Sequence, residues 1–195
     1  MIFLSASVPT PDREFYGTED VFAIREAIIA FTTVCVDYGI RFYFGGHPAI
    51  TPLVWQVAMQ KAEGRMPLID IYQSKIFGNK IPKEVKDFKN IHMTEPVENN
   101  IKKSVIAMRE QMFTENPTDC AVFIGGMQGV IDEYDMLKDK YPDAEYYAFA
   151  STGGAAVELY KRIGVLNPLL ENSYAYMAIF KDLLSKFKQR QYGRS

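Results

Sequence analysis

The chain has 195 residues, 48% of them hydrophobic and 24% charged, with a formal net charge of -2 and a pI near 5.8. That length fits one domain with a sizeable core, and the composition is that of a folded chain, far from disorder. The missing basic excess excludes double-stranded nucleic acid as an expected partner, and the longest apolar run, "AIIAFTTVCV", is too short for the ~20 residues of a bilayer span.

"MIFLSASVP" lacks the positive start and long apolar stretch of a secretory signal, so a cytoplasmic location is expected. Residues 2–6 read as a buried strand. Ile24, Ile28, Phe31 and Cys35 then recur at helical spacing over residues 20–37. "GIRFYFGG" is a second strand, followed by a helix that opens on Thr51 and Pro52, residue types suited to an N-cap and a first turn, and runs to Gly64.

"MPLIDIYQ", from Met66, is a third strand. Residues 73–94 show no clear periodicity and are expected as a long connection, either a lid or a plain surface excursion. A helix over 95–115 carries Ile101, Val105, Met108 and Met112 on one face, followed by the strand "DCAVFIGG", the helix "VIDEYDMLKDKY", the strand "AEYYAFA" and the helix "GAAVELYKRIG". A C-terminal helix over 173–190 places Ile179, Leu183 and Phe187 together, for packing on the parent sheet or against a second subunit.

Strands alternating with helices imply an α/β fold with a mainly parallel central sheet of about five or more strands covered on both faces, within one domain spanning 1–195. Cys35 and Cys120 sit in apolar surroundings and read as small buried hydrophobes. With only His47 and His92 besides, no metal site and no cofactor are expected.

Ligands of open α/β sheets bind beyond the carboxyl ends of the strands. Here those ends carry "SASVP" with Ser5 and Ser7, "GGHPAITP" with Gly45, Gly46 and His47, "GGMQGV" with Gly125, Gly126, Met127 and Gly129, and "STGGAA" with Ser151, Thr152 and Gly153. Glycines admit close backbone approach and helix N-termini present free amides, so these loops together suit a phosphate or nucleotide. Taken singly, each glycine turn also serves simply to join a strand to a helix.

No Gly-Lys-Ser/Thr follows a glycine loop, the dinucleotide fingerprint is missing from the first turn, and no nucleophile elbow is present. ATP hydrolysis, ordinary NAD-dependent hydride transfer and triad-based acyl transfer are therefore disfavoured. Arg109 lies beside the apolar stripe of its helix, so it either reaches the loop at 125–129 or stays exposed beside Glu110 or Glu115. Glu133 either serves the site or merely complements a helix dipole. His47 either contacts a ligand or only bonds a turn carbonyl.

"FLSAS", "FGGHPAITPLV", "MREQM", "VFIGGMQGVIDEY" and "STGGAA" together resemble the SLOG superfamily of Rossmann-like three-layer sandwiches, over most of the chain. The likeness is greatest to the small SLOG ligand-sensing domains of bacterial anti-phage defence proteins, and more distant to the LOG phosphoribohydrolases. LOG enzymes cleave the N-glycosidic bond of nucleoside monophosphates with an arginine on a helix and a glutamate ending Pro-Gly-Gly-x-Gly-Thr-x-x-Glu, to which Arg109 and Glu133 correspond. Here Ile124 replaces the proline, Val130 replaces the threonine, and one extra residue lies between Gly126 and Gly129.

The resemblance implies a sensor of a nucleotide-derived small molecule, NAD-derived or ADP-ribose-like and linear or cyclic, working as a homo-oligomer with a defence effector as partner. Binding tolerates the altered spacing before Glu133 better than catalysis does, because reaction demands closer placement. The alternatives are a LOG-like N-glycosidase using Arg109 and Glu133 as catalytic residues, and an oligomeric scaffold without a nucleotide ligand.

Overall fold

The computed structural model describes residues 1–61 and 68–192, with side chains as far as 188. The expected end of the second helix at Gly64 and start of the third strand at Met66 lie outside the described residues. Six strands form one sheet: β1 (Ile2–Ser7), β2 (Phe42–Gly45), β3 (Ile69–Ser74), β4 (Asn90–Thr94), β5 (Cys120–Gly125) and β6 (Glu145–Phe149). Their order is β4-β3-β2-β1-β5-β6, and every pairing is parallel. This is the expected mainly parallel α/β sandwich.

The helices are α1 (Val21–Tyr38), α2 (Thr51–Lys61), α3 (Ile101–Glu115), α4 (Gln128–Lys140), α5 (Ala155–Ile163), α6 (Pro168–Asn172) and α7 (Tyr176–Tyr192). Alternation along the strands divides them between the two faces of the sheet. Phe42 of β2 meets Phe31 of α1, which also meets Phe180 of α7, with ring centroids 5.1 and 5.5 Å apart. On the other face Phe3 meets Phe113 of α3 and Phe123 meets Tyr134 of α4. Truncating Phe31, which is fully buried, to alanine removes the ring shared by both contacts at a cost of about 3–5 kcal/mol.

Helix α1 is bounded at both ends by its sequence. Asp20 accepts a hydrogen bond from the Ala23 amide at 2.9 Å, and Gly39 leaves the helix at φ 69°, where its amide reaches back to the last carbonyls. The C-terminal helix begins at Tyr176, later than residue 173, because α6 and a short turn precede it. It packs against α1 through Phe180 and also contacts Phe149 of β6.

The stretch 73–94 is more ordered than its sequence suggests. It holds two 3-10 turns, Lys75–Lys80 and Lys83–Asp87, and then edge strand β4. β4 alternates too weakly to be read as a strand, being half-buried over most of its length. Its register is fixed by a side chain: His92 bonds Asp70 at 3.0 Å and stacks on Tyr72 at 4.2 Å between centroids.

The chain leaves β1 toward β2 on one side of the sheet and later returns to place β5 on the other side of β1. The carboxyl ends of β1 and β5 therefore flank the topological switch point, where the diverging connections leave a crevice. Ser7 and Gly125 are register partners there. The Gly126 amide donates to the Ser7 carbonyl at 2.9 Å, so the two strand ends are locked before the chain turns into α4.

Candidate functional site

A cavity of about 220 Å³ opens at this crevice, walled by residues that follow β1, β2, β3 and β5 and by one face of α3. Of the residues singled out from sequence, Ser7, Gly45, Gly46, His47, Arg109, Met127, Gly129 and Glu133 line it. Arg13, after β1, and Phe77, after β3, line it as well. Sequence reading missed both, since neither belongs to a periodic element or a glycine loop.

Arg109 is 9% exposed, so its charge must be met inside the protein. Its Nε donates to Glu133 Oε1 at 3.0 Å, its Nη2 to the Gly129 carbonyl at 2.9 Å, and its Nη1 to Asp132 Oδ2 at 3.4 Å. Of the two arrangements open from sequence, the arginine therefore turns inward to the 125–129 loop rather than outward to Glu110 or Glu115. Glycine at 129 leaves room for this, because a Cβ there would lie 2.8 Å from Arg109 Nη2 and push the guanidinium aside.

Glu133 is held at both oxygens. Arg109 occupies Oε1 and the Ser5 hydroxyl donates to Oε2 at 2.5 Å. Ser5 is itself buried and does not line the cavity, so its link to the cavity is the hydrogen bond to Glu133. The lone pairs that these two contacts leave on the carboxylate suit hydroxyl groups.

His47 is half-buried, and loss of water around the ring pushes its pKa down to about 4. It is therefore neutral at pH 7. Its Nδ1 accepts from the Ala49 amide at 3.2 Å, which leaves the proton on Nε2 as a donor. Gly46 continues the sheet by donating to the Tyr72 carbonyl at 2.8 Å, and a Cβ on it would come within 2.0 Å of Gln73 Oε1.

Several glycine-loop residues serve the framework. Gly125 and Gly126 take φ values of 60° and 98°, and their amides are already spent on Thr152 Oγ1 and the Ser7 carbonyl. Thr152 also donates to the Phe149 carbonyl, while Ser151 bonds the Tyr176 hydroxyl at 3.0 Å. Gly153 forms a bridge with Glu19, so "STGGAA" fastens the 8–20 loop and α7 to the strand ends without lining the cavity.

The first turn of α4 keeps its free donors. Met127 is the N-cap, and among the described residues the Gln128 and Gly129 amides have no partner. The cavity thus combines a fixed carboxylate, a compensated arginine, neutral imidazole, free amides and an apolar wall of Val105 and Met108. Such a set can hold hydroxyls, an anion and an apolar ring at once.

Among the described residues no helix is long and apolar enough to cross a membrane, and no group of three or more His, Cys, Asp or Glu could hold a metal ion. Cys35 and Cys120 are free and buried, and burial pushes both thiols up, leaving them unreactive.

Comparison with curated proteins returns no match. The model of the SLOG cluster3 family matches residues 14–184, which cover α1 through most of α7 and every strand but β1. A SLOG fold is consistent with small-molecule or nucleotide sensing in general. By the extent of that match, the chain belongs to the SLOG cluster3 family.

Proposed function

We propose that the protein binds a nucleotide-derived small molecule, NAD-derived or ADP-ribose-like and linear or cyclic, as a sensor in bacterial anti-phage defence. The observation that supports this most is the buried Ser5–Glu133–Arg109 network facing a cavity at the switch point of the sheet. Ionic groups held below the surface cost desolvation, so a structural role alone gives little return for them. As a ligand site, the fixed carboxylate accepts from ribose hydroxyls while the amides of α4 and a cationic rim attract phosphate. Occupancy is then read by an effector or by another copy of the chain, provided it favours one of two states.

A LOG-like N-glycosidase is the second reading, favoured by the 3.0 Å contact of Arg109 with Glu133 beside the cavity. It is the weaker one. Catalysis needs a carboxyl free to move with the reacting sugar, and both oxygens of Glu133 are already held by Ser5 and Arg109. Incubation with AMP, NAD, ADP-ribose and cyclic ADP-ribose isomers, followed by chromatography, separates the two. Bound ligand recovered intact supports the sensor, whereas turnover abolished by Glu133→Gln supports the enzyme.

A further inference from the structure

The charge inside the cavity is already balanced: Arg109 is spent on Glu133, Asp132 and the Gly129 carbonyl, and His47 is neutral. An anionic ligand therefore needs another cation. Arg13 lines the same cavity, is exposed, and forms no ion pair or side-chain hydrogen bond among the described residues. Its neighbour Asp12 accepts from the Thr10 hydroxyl at 2.8 Å and feels the Arg13 charge without a direct ion pair, so the guanidinium's hydrogen-bond donors can turn to an incoming anion.

Phe77 is the one phenyl ring in the lining, half-buried beside Val105 and Met108. Among the described residues it pairs with no other aromatic ring. Gly78, at φ 50°, breaks the 3-10 turn just after it and lets the loop carry the ring to the rim.

Strand order sets which loops carry these two groups. Phe77 follows β3 and Arg13 follows β1, with β2 between them, so the two residues come to the cavity on loops from either side of β2. Gly45, at the end of β2, and Gly46 after it also line the cavity and bring backbone to its wall. A ring, a sugar and a phosphate in succession fit that layout. The cavity volume of about 220 Å³ falls below the ~300–1,000 Å³ of sites that enclose a drug-sized ligand, so anything larger than a single base–ribose–phosphate unit would extend well outside it.

Resting on the nucleotide-binding reading, we infer that Arg13 and Phe77 select the ligand: Arg13 pairs with a phosphate, Phe77 stacks on the base, and a single base–ribose–phosphate unit is enclosed between them. Both side chains sit at the rim, so alanine at either leaves the fold intact, which thermal melting verifies. Calorimetric titration is run with AMP, adenosine and ribose 5-phosphate on the native chain, Arg13→Ala and Phe77→Ala. Arg13→Ala is expected to weaken AMP and ribose 5-phosphate about tenfold or more and leave adenosine unchanged. Phe77→Ala is expected to weaken AMP and adenosine about tenfold and leave ribose 5-phosphate unchanged. AMP binding that survives both substitutions, or losses that ignore the phosphate and the base, overturns this assignment alone. Failure of the native chain to bind any nucleotide overturns the underlying reading and this inference with it.

Discussion

Ser5 and Glu133 lie 128 positions apart in sequence, yet the Ser5 hydroxyl donates to Glu133 Oε2 at 2.5 Å, tying the middle of β1 to the second turn of α4. Ser5 is 1% exposed, so its hydroxyl has no water to replace this acceptor. Ser5→Ala is expected to cost about 1–2 kcal/mol in urea unfolding and to weaken ligand binding by freeing Glu133. A substitution neutral for both would show that the hydroxyl does not position the acid.

Among the described residues, Arg109 and Glu133 form the Arg/Lys–carboxylate pair buried most on both sides, at 10% and 15% side-chain exposure. Removing one partner strands the other. Arg109→Met and Glu133→Gln are each expected to destabilise by on the order of 3 kcal/mol, and the double variant by clearly less than their sum. Additive losses in chemical denaturation would mean that the two groups are not energetically coupled.

Gly153 and Gly164 both have φ near 70°, but only one is crowded. A Cβ at Gly153 would lie 2.2 Å from the Thr18 carbonyl oxygen, whereas none of the surrounding atoms comes within 4 Å at Gly164. Gly164→Ala is expected to cost about 1 kcal/mol from backbone strain alone. Gly153→Ala adds displacement of the 18–20 backbone and is expected to cost about 3 kcal/mol or more, read as a lower denaturation midpoint. Equal costs would contradict the role of this loop as a fastener.

His47 gives the stability a pH dependence of defined sign. Its folded pKa of about 4 lies below the ordinary 6.5, so between those values the unfolded chain binds the extra proton. Its contribution is complete above pH ~6.5 and is lost as pH falls toward ~4, by up to about 3 kcal/mol. Unfolding curves of the native chain and His47→Gln should diverge only in that window. Parallel curves would place His47 in water.

The strand–helix alternation, and with it the parallel sheet, was legible because β1, β2, β3 and β5 are short apolar runs ending in glycine, serine or hydroxyl-rich turns. β4 was not, since "NIHMT" at a sheet edge carries polar residues whose partners, such as Asp70 for His92, come from a neighbouring strand. On α3 the apolar stripe was only half right. Met108 and Met112 are buried, but Ile101 is 60% exposed while Ser104 and Arg109 face inward. Periodicity cannot show a charge buried by a partner on another helix.

The same limit applies at the site. Gly45, Gly46 and Gly129 stood out because strand ends and glycines mark the ligand edge in any open parallel sheet, and Arg109 and Glu133 because their helix positions and the resemblance to the LOG motif pointed to them. Thr152 stood out for the same reason, although its hydroxyl holds the Gly125 amide instead of facing the cavity. Arg13 and Phe77 carried no local signal. Their meeting across the cavity depends on strand order, which sequence alone does not supply.

The most direct test of the central claim is the melting temperature of the native chain with AMP, NAD, ADP-ribose and cyclic ADP-ribose isomers, each at millimolar concentration. A ligand present at 100 times its Kd stabilises the native state by about 2.7 kcal/mol, a rise of roughly 5–10 °C for a domain of this size. The account predicts such a rise with at least one of these molecules, reduced by Arg13→Ala, whereas an unchanged melting temperature across the whole panel would contradict it.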